Sequence, residues 1–233
     1  RQMCIRDRRV TYKKKMLSAQ QEFENTKDNK YKKLISRYNN IQMARKISLN
    51  SAYGAIGNQY FRYYDKAIAE GITKSGQLSI RWIENRLNKY LNNILKTDED
   101  YVIASDTDSV YLTLDKLVTK TIKSDNALSK TINFLDKVAS ESIEPYITKS
   151  YDELKQYTNA FANKMFMKRE VIADKGIWVA KKRYILNVWN SEGVSYKEPK
   201  LKMMGIEAVK SSTPAICRHC LLYTSPSPRD LST

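Results

Sequence analysis

Residues 101–114, Tyr-Val-Ile-Ala-Ser-Asp-Thr-Asp-Ser-Val-Tyr-Leu-Thr-Leu, narrow what this chain can become more than any other stretch. Two β-rich runs, Tyr101–Ser105 and Val110–Leu114, flank a short polar tip, a pattern that predicts strand, tight turn, strand. The tip carries Asp106 and Asp108 with one residue between them. Two carboxylates so close repel each other and resist desolvation unless a cation lies near them. A lone Asp-x-Asp is more often a solvated turn. Here the flanking strands are of buried type and hold the tip rigidly, which gives the pair more meaning.

Helical patterns surround this hairpin. Residues 9–26 read as a polar helix with Arg9, Lys13, Met16, Leu17 and Gln20 at helical spacing. Thr26-Lys-Asp-Asn29 is a turn signal, and 30–57 then runs without Pro, and without Gly until Gly54, so a second long helix should pack antiparallel to the first. Ala67–Leu95 is a third helix with an apolar stripe of Ile72, Leu78, Ile83, Leu87, Leu91 and Leu95. Asn126–Tyr146 reads as a helix ending at Pro145. Phe166–Ala173 and Ile177–Trp189 read as strands, the latter continuing past Gly193 to 194–196. Thr213-Pro214 predicts the N-cap and first position of a further helix. The expected fold class is α+β.

Both termini are set apart from this reading. Arg1–Arg8 and Cys220–Asp230 each back-translate to a sequence resembling an adapter of transposase-based sequencing libraries. We therefore expect 1–8 and 220–233 to be adapter-derived and to pack against nothing. The whole chain has a net charge of +16. Residues 1–8 contribute +2 and 220–233 nothing, which leaves +14 for 9–219. Such a charge favours a polyanionic partner through long-range attraction and counterion release. On this reading Cys217 is the only native cysteine, so a disulfide framework or Cys-based zinc site is excluded. His219, the single histidine, sits at the junction, which excludes Ser-His-Asp and Cys-His mechanisms. No apolar run approaches the roughly 18 residues of a membrane span.

The second informative string is Lys46-Ile-Ser-Leu-Asn-Ser-Ala-Tyr-Gly54. Gln42, Lys46, Asn50, Tyr53 and Gly54 fall on one face of the predicted 30–57 helix. Lys46 can meet phosphate oxygens as a point charge. Tyr53 offers a flat surface for a base pair, and Gly54 lets that pair approach the backbone. Any one of these residues could belong to an ordinary amphipathic helix; the set as a whole argues otherwise.

Asn39–Asn58 with Phe61-Arg-Tyr-Tyr-Asp65 is similar to the KxxxNSxYG motif and flank of family B DNA polymerases, most closely the replicative polymerases of T-even-like tailed phages. Asp106-Thr-Asp-Ser109 resembles the family's DTDS, and Ala180-Lys-Lys-Arg-Tyr184 its KKRY element. Glu198–Gly205 and Ser211–Pro214 resemble the end of the palm and the start of the thumb. The resemblance spans 9–219 in order. It implies a fingers helical hairpin over 9–57, the C-terminal part of the palm over 58–205, as an antiparallel sheet with helices on one face, and the start of the thumb over 206–219.

By the same resemblance, Asp108 is the principal catalytic metal ligand and Asp106 an auxiliary one. Glu170 is a further carboxylate near the metals, while Lys168 stands where the family often has an acidic residue. Arg9, Lys13, Lys46, Asn50, Tyr53 and Gly54 are expected to bind nucleotide. Lys182 is expected to probe the minor groove at the primer end, with Lys181, Arg183 and Tyr184 holding the DNA backbone. The implied reaction is nucleotidyl transfer from a dNTP to a primer 3′-hydroxyl with two Mg2+ ions, in a cytoplasmic setting (that of the bacterial host for a phage protein). Primer-template DNA is the partner, with a sliding clamp for the full protein and no membrane. The family's other metal-binding Asp lies in a DxxSLYPS string that does not occur here, so the chain by itself is expected to be inactive. Two alternatives stay open: a non-enzymatic basic nucleic-acid-binding module, or the palm of a reverse transcriptase or RNA polymerase.

Overall fold

The computed structural model describes residues 2–121 and 128–224. It is α+β, and the chain divides into two compact units: residues 1–81 with 193–195, and residues 82–192 with 196–233.

In the first unit, α1 (Gln2–Thr26) and α2 (Asn29–Ile56) form a helical hairpin. The turn is made by Lys27, at a left-handed φ of 56°, and by Asp28. Asp28 caps α2 by accepting the Lys30 N–H at 2.9 Å, satisfying one of the orphan donors of the first turn. Met16, Ala19 and Gln42 are buried between the two helices, and Tyr12 packs on Tyr38 with ring centroids 6.1 Å apart. Residues 2–8 continue α1 without a break. Among the side chains described there, Ile5 is half-buried and Cys4, Arg6, Asp7 and Arg8 are exposed.

Helix α3 (Lys66–Leu95) crosses the division between the units. Ile83, Leu87, Leu91 and Leu95 of the expected stripe are buried, whereas Ile72 and Leu78 are 48% and 41% exposed. The stripe fails at those two residues because the apolar clusters that include α3 begin only at Trp82. In the second unit, Ile83 and Leu87 pack against Ile143, Ile147, Tyr151 and Leu154. Leu91 and Leu95 enclose Tyr101.

The carboxylate hairpin forms as expected, from β1 (Val102–Asp106) and β2 (Ser109–Leu112), followed by α4 (Asp115–Thr121). Asn88 on α3 anchors its entry, accepting the Tyr101 N–H at 2.9 Å and the Val102 N–H at 3.2 Å. The next helical run passes the boundary expected at Pro145. Helix α5 (Leu128–Val138) leads through a π-helical segment, Ala139–Ile143, into α6 (Glu144–Tyr157). Glu144 N–H reaches back five residues to Ala139 O, which opens the ladder just before the proline. Pro145 follows directly, where the opened ladder accommodates its missing N–H inside the helical run. The start of the expected helix, 126–127, lies outside the described residues.

A three-stranded antiparallel sheet follows, in the order β3 (Val171–Ala180), β4 (Arg183–Ser191), β5 (Val194–Met204). The expectation of separate strands at 166–173 and 177–189 is corrected here. The chain stays extended through Asp174–Gly176, bulging at Ile172–Ala173 and Ala173–Lys175, and turns at Lys181–Lys182. Gly176 marks a close approach of the chain. A Cβ there would lie 2.7 Å from the Leu186 side chain and 2.8 Å from the Trp178 ring. Strand β4 is central and buried on both faces: Tyr184, Leu186 and Val188 on one, Ile185 with Ile206 and Ala208 on the other.

A 3-10 turn (Glu207–Val209) then precedes α7 (Ala215–Thr224), which starts one residue after Pro214. Residues 220–224, expected to stand apart, complete α7, and Leu221 lines a shallow groove with Ile177, Ile185 and Ile206. Residues 225–233 lie outside the described residues.

Arg169 joins the helical run to the sheet. It is ion-paired with Asp136, donates to Asn190 Oδ1 at 2.6 Å, and its backbone N–H reaches Glu144 Oε1 at 2.9 Å. The side chain is only 16% exposed. Arg169→Ala should therefore lower unfolding stability by about 1–3 kcal/mol, since it removes the charge-assisted bonds to Asp136 and Asn190 at once. Chemical denaturation measures it, and an unchanged midpoint would show the network to be incidental.

Candidate active site and nucleic-acid surface

The β1–β2 turn consists of Thr107 and Asp108, between the paired residues Asp106 and Ser109. Thr107 adopts φ 53°, a conformation that disfavours a β-branched residue. Local hydrogen bonds hold it: Asp108 N–H donates to Asp106 O at 2.6 Å, Ser109 Oγ to the same oxygen at 3.1 Å, and Thr107 Oγ1 to Asp106 Oδ1 at 3.0 Å. Asp106 is half-buried and fixed, and Asp108 projects into solvent.

The β3–β4 turn is also a two-residue loop, with the left-handed residue second and not first. Lys181 and Lys182 lie between paired Ala180 and Arg183, and Lys182 has φ 63°. Gly205, itself at φ 66°, braces this turn from behind: a Cβ there would lie 2.2 Å from Lys182 O. Glu207 forms an ion pair with Arg183. Non-glycine residues held at left-handed φ cost energy and persist only where the surroundings over-determine them. Lys96, Asn159 and Glu192 of the same unit share this conformation, so it serves the tight reversals and does not by itself mark a site.

Asp106, at the foot of the β1–β2 turn, and Lys181 and Lys182 of the β3–β4 turn line one open cavity of about 160 Å³, together with Ala104, Ser105, Tyr111, Trp178, Ala180 and Tyr184. Lys182 Nζ lies 3.9 Å from Asp106 Oδ1. Tyr184, grouped by sequence with the residues that hold DNA, is only 6% exposed. Its hydroxyl accepts a hydrogen bond of 2.7 Å from Tyr111, so its place is beneath the turn and not on the surface. Burial first, then the Tyr111 bond and the nearby charges of Glu170 and Asp106, raise its pKa well above the ordinary phenol range. It is therefore neutral at any working pH.

Glu170 precedes β3, and its Oε1 accepts from Lys202 Nζ at 2.9 Å. Among the described residues no group of three or more His, Cys, Asp and Glu side chains could hold a metal ion. Asp106, Asp108 and Glu170 are thus not gathered into one ligand cage, because Lys202 engages Glu170 and Lys182 stands beside Asp106. The pair Asp106 and Asp108 still fits magnesium, which is commonly held by one or two carboxylates plus substrate phosphates.

In the first unit, Lys46 and Asn50 are exposed on α2, Tyr53 is 43% exposed, and a Cβ on Gly54 would meet nothing within 4 Å. Gln42, expected on the same face, is instead buried at 6% and donates to Asn39 Oδ1 at 2.9 Å. The row therefore starts against α1 and emerges into solvent along its flank. Arg9 and Lys13 are half-buried on α1. The Arg45 guanidinium lies over the Tyr12 ring, 5.0 Å from its centroid, which places Arg9, Lys13 and Lys46 in the same stretch of the hairpin. Sequence reasoning overlooked Tyr111 and Gly205 as parts of the site. Tyr111 reads as an ordinary strand residue, and only the glycine's position just after an apolar run hinted at a close approach.

Comparison with known proteins settles the family. The model of DNA polymerase family B matches residues 5–144. The chain belongs to DNA polymerase family B. It is 46% identical over 190 residues to the DNA-directed DNA polymerase of Escherichia phage RB69, covering 77% of this chain and 21% of that protein. It is 43% identical over 196 residues to that of Enterobacteria phage T4, covering 78% and 22%. The DNA polymerase of Choristoneura biennis entomopoxvirus is 25% identical over 168 residues, covering 59% and 17%. The chain thus spans about a fifth of the length of the phage relatives. Among the described residues no helix is long and apolar enough to cross a membrane.

Proposed function

We propose that this chain is the segment of a replicative DNA polymerase that holds the incoming dNTP, half of the metal site and the primer end. The observation that carries this reading is that Asp106 and the Lys181–Lys182 turn line one cavity, with Lys182 Nζ 3.9 Å from Asp106 Oδ1. In this reading α1 and α2 are the fingers hairpin, 58–205 the C-terminal palm and 206–219 the start of the thumb, with 1–8 and 220–233 adapter-derived. Arg9, Lys13 and Lys46 draw in the triphosphate. Asn50, Tyr53 and Gly54 present a surface on which the nascent base pair rests; the open space over Gly54 supports this, since no neighbour within the protein requires a glycine there.

Asp108, exposed, and Asp106, fixed, would hold magnesium together with a carboxylate from outside this segment. Bound there, the metal supplies charge stabilisation of the phosphoryl group in transfer. Glu170 lies near enough to Tyr184 to act on it electrostatically and forms the outer edge of this acidic region. Lys181 and Arg183 hold the primer backbone, Lys182 probes the minor groove, and Tyr184 supports them from below. Primer-template DNA is the partner, with a sliding clamp in the complete protein. The family match disfavours a reverse transcriptase or RNA polymerase palm.

Lys182→Ala in the full-length polymerase should weaken binding of primer-template about tenfold, the loss of one charge-assisted contact. Fluorescence anisotropy at fixed salt measures it. Affinity within twofold of the parent would show that Lys182 does not touch DNA.

A further inference from the structure

We propose that Tyr111 is a positioning residue that sets the distance between the carboxylate turn and the lysine turn, by donating its hydroxyl proton to Tyr184. The inference rests on the polymerase reading above and adds a residue to it.

Tyr111 lies on β2, paired with Ala104 just below the carboxylate tip, and Tyr184 lies on β4, one residue beyond Arg183. Both turns are supported at their bases by these two rings. The hydroxyls meet at 2.7 Å, and the rings pack edge to face with centroids 5.3 Å apart. Trp178, the pairing partner of Tyr184 on β3, closes the third side, 5.5 Å from the Tyr111 ring at an angle of 70°. Edge-to-face aromatic groups resist sliding, because the ring edge is attracted to the neighbouring face. A buried hydroxyl pair adds a fixed length, since neither oxygen can be left without a partner cheaply.

No backbone pairing joins the two hairpins, which belong to separate sheets. Side chains therefore set their spacing. The Lys182–Asp106 contact at 3.9 Å is a loose pair with a Lys side chain 63% exposed, too weak to serve as a spacer. The Tyr111–Tyr184 contact is half-buried and directional. In transfer to a primer hydroxyl, a displacement of about 1 Å of the primer end from the carboxylates can cost on the order of a hundredfold in rate. A strut of fixed length between the two turns controls that displacement.

The test uses the full-length polymerase with Tyr111→Phe, Tyr184→Phe and the double substitution. Each removes the hydroxyl pair and keeps the aromatic packing. Primer extension under saturating primer-template and dNTP gives kcat, and anisotropy gives DNA affinity. Each single variant should lose about three- to tenfold in kcat, matching one net hydrogen bond. The double variant should lose no more than either single one, and the DNA affinity of Tyr111→Phe should stay within twofold. A role confined to stability would lower the melting temperature and leave kcat of the folded enzyme unchanged, and that result overturns the proposal. Additive losses in the double variant also overturn it, since the two hydroxyls would then act separately. Tyr184→Phe removes the same bond from the other side if Tyr111→Phe fails to fold. Asp108→Ala is run alongside: if it is inactive while Tyr111→Phe turns over normally, only the strut is lost, whereas an active Asp108→Ala variant removes the polymerase reading and the strut with it.

Discussion

Replacing Asp108 by Ala in the full-length polymerase should reduce primer extension by at least about a thousandfold, equivalent to several kcal/mol of lost transition-state stabilisation. Binding of primer-template should change little. Asp108 is the exposed carboxylate of the β1–β2 turn and makes no side-chain contact that the fold needs, so its loss leaves the hairpin intact. Interactions realised only in the transition state govern kcat, whereas phosphate contacts act equally in the ground state. Single-turnover extension with parallel anisotropy separates the two. Near-normal turnover at saturating magnesium would remove Asp108 from the chemistry, and an equal collapse of DNA affinity would make its role structural.

Gly205→Ala should be the most damaging small substitution outside the carboxylates. The added methyl would lie 2.2 Å from Lys182 O and 3.2 Å from Arg183 Cγ, and the backbone there has φ 66°. The first contact is with backbone, so no side-chain rotation relieves it. The left-handed conformation costs an L-residue about 1–2 kcal/mol, and the overlap adds about 1–3 kcal/mol. We expect unfolding stability of the full-length protein to fall by about 2–5 kcal/mol at this unit. Displacement of Lys181 and Lys182 should weaken DNA binding as well. Hydrogen exchange over 171–205 and anisotropy are the measurements. Parent-like exchange across β3 and β4 would mean that the turn can move aside without penalty.

Much of this was legible in the chain because the signals are local. Asp106-Thr-Asp-Ser109 between two β-rich runs can form little besides a hairpin with carboxylates at its tip, and the structure pairs Asp106 with Ser109 as the alternation requires. The helical hairpin was legible because 30–57 offers no proline and no glycine before Gly54, and because Asp28 is a strong N-cap. Errors came where a local signal was overridden. Pro145 reads as a helix end, yet a π-helical segment absorbs it. Strands expected at 166–173 and 177–189 leave a gap at 174–176, yet one strand passes through it, with Gly176 leaving the space that Leu186 and Trp178 occupy. Ile72 and Leu78 obey the stripe but remain exposed, since periodicity says which face is apolar and not whether a neighbour covers it.

The sequence by itself determined the α1–α2 hairpin and its basic character, the carboxylate tip and the family, because each depends on residue identity at short spacing. Tertiary structure alone decided that Lys182 stands beside Asp106, that Tyr184 is buried beneath its turn and not available on the surface, that Glu170 is taken by Lys202, and that Tyr111 and Gly205 belong to the site. These are contacts between residues tens of positions apart. The Lys182–Asp106 and Tyr111–Tyr184 contacts follow from how two separate sheets pack, the Lys202–Glu170 and Gly205 contacts from the strand arrangement within the larger sheet, and no periodicity along the chain encodes either.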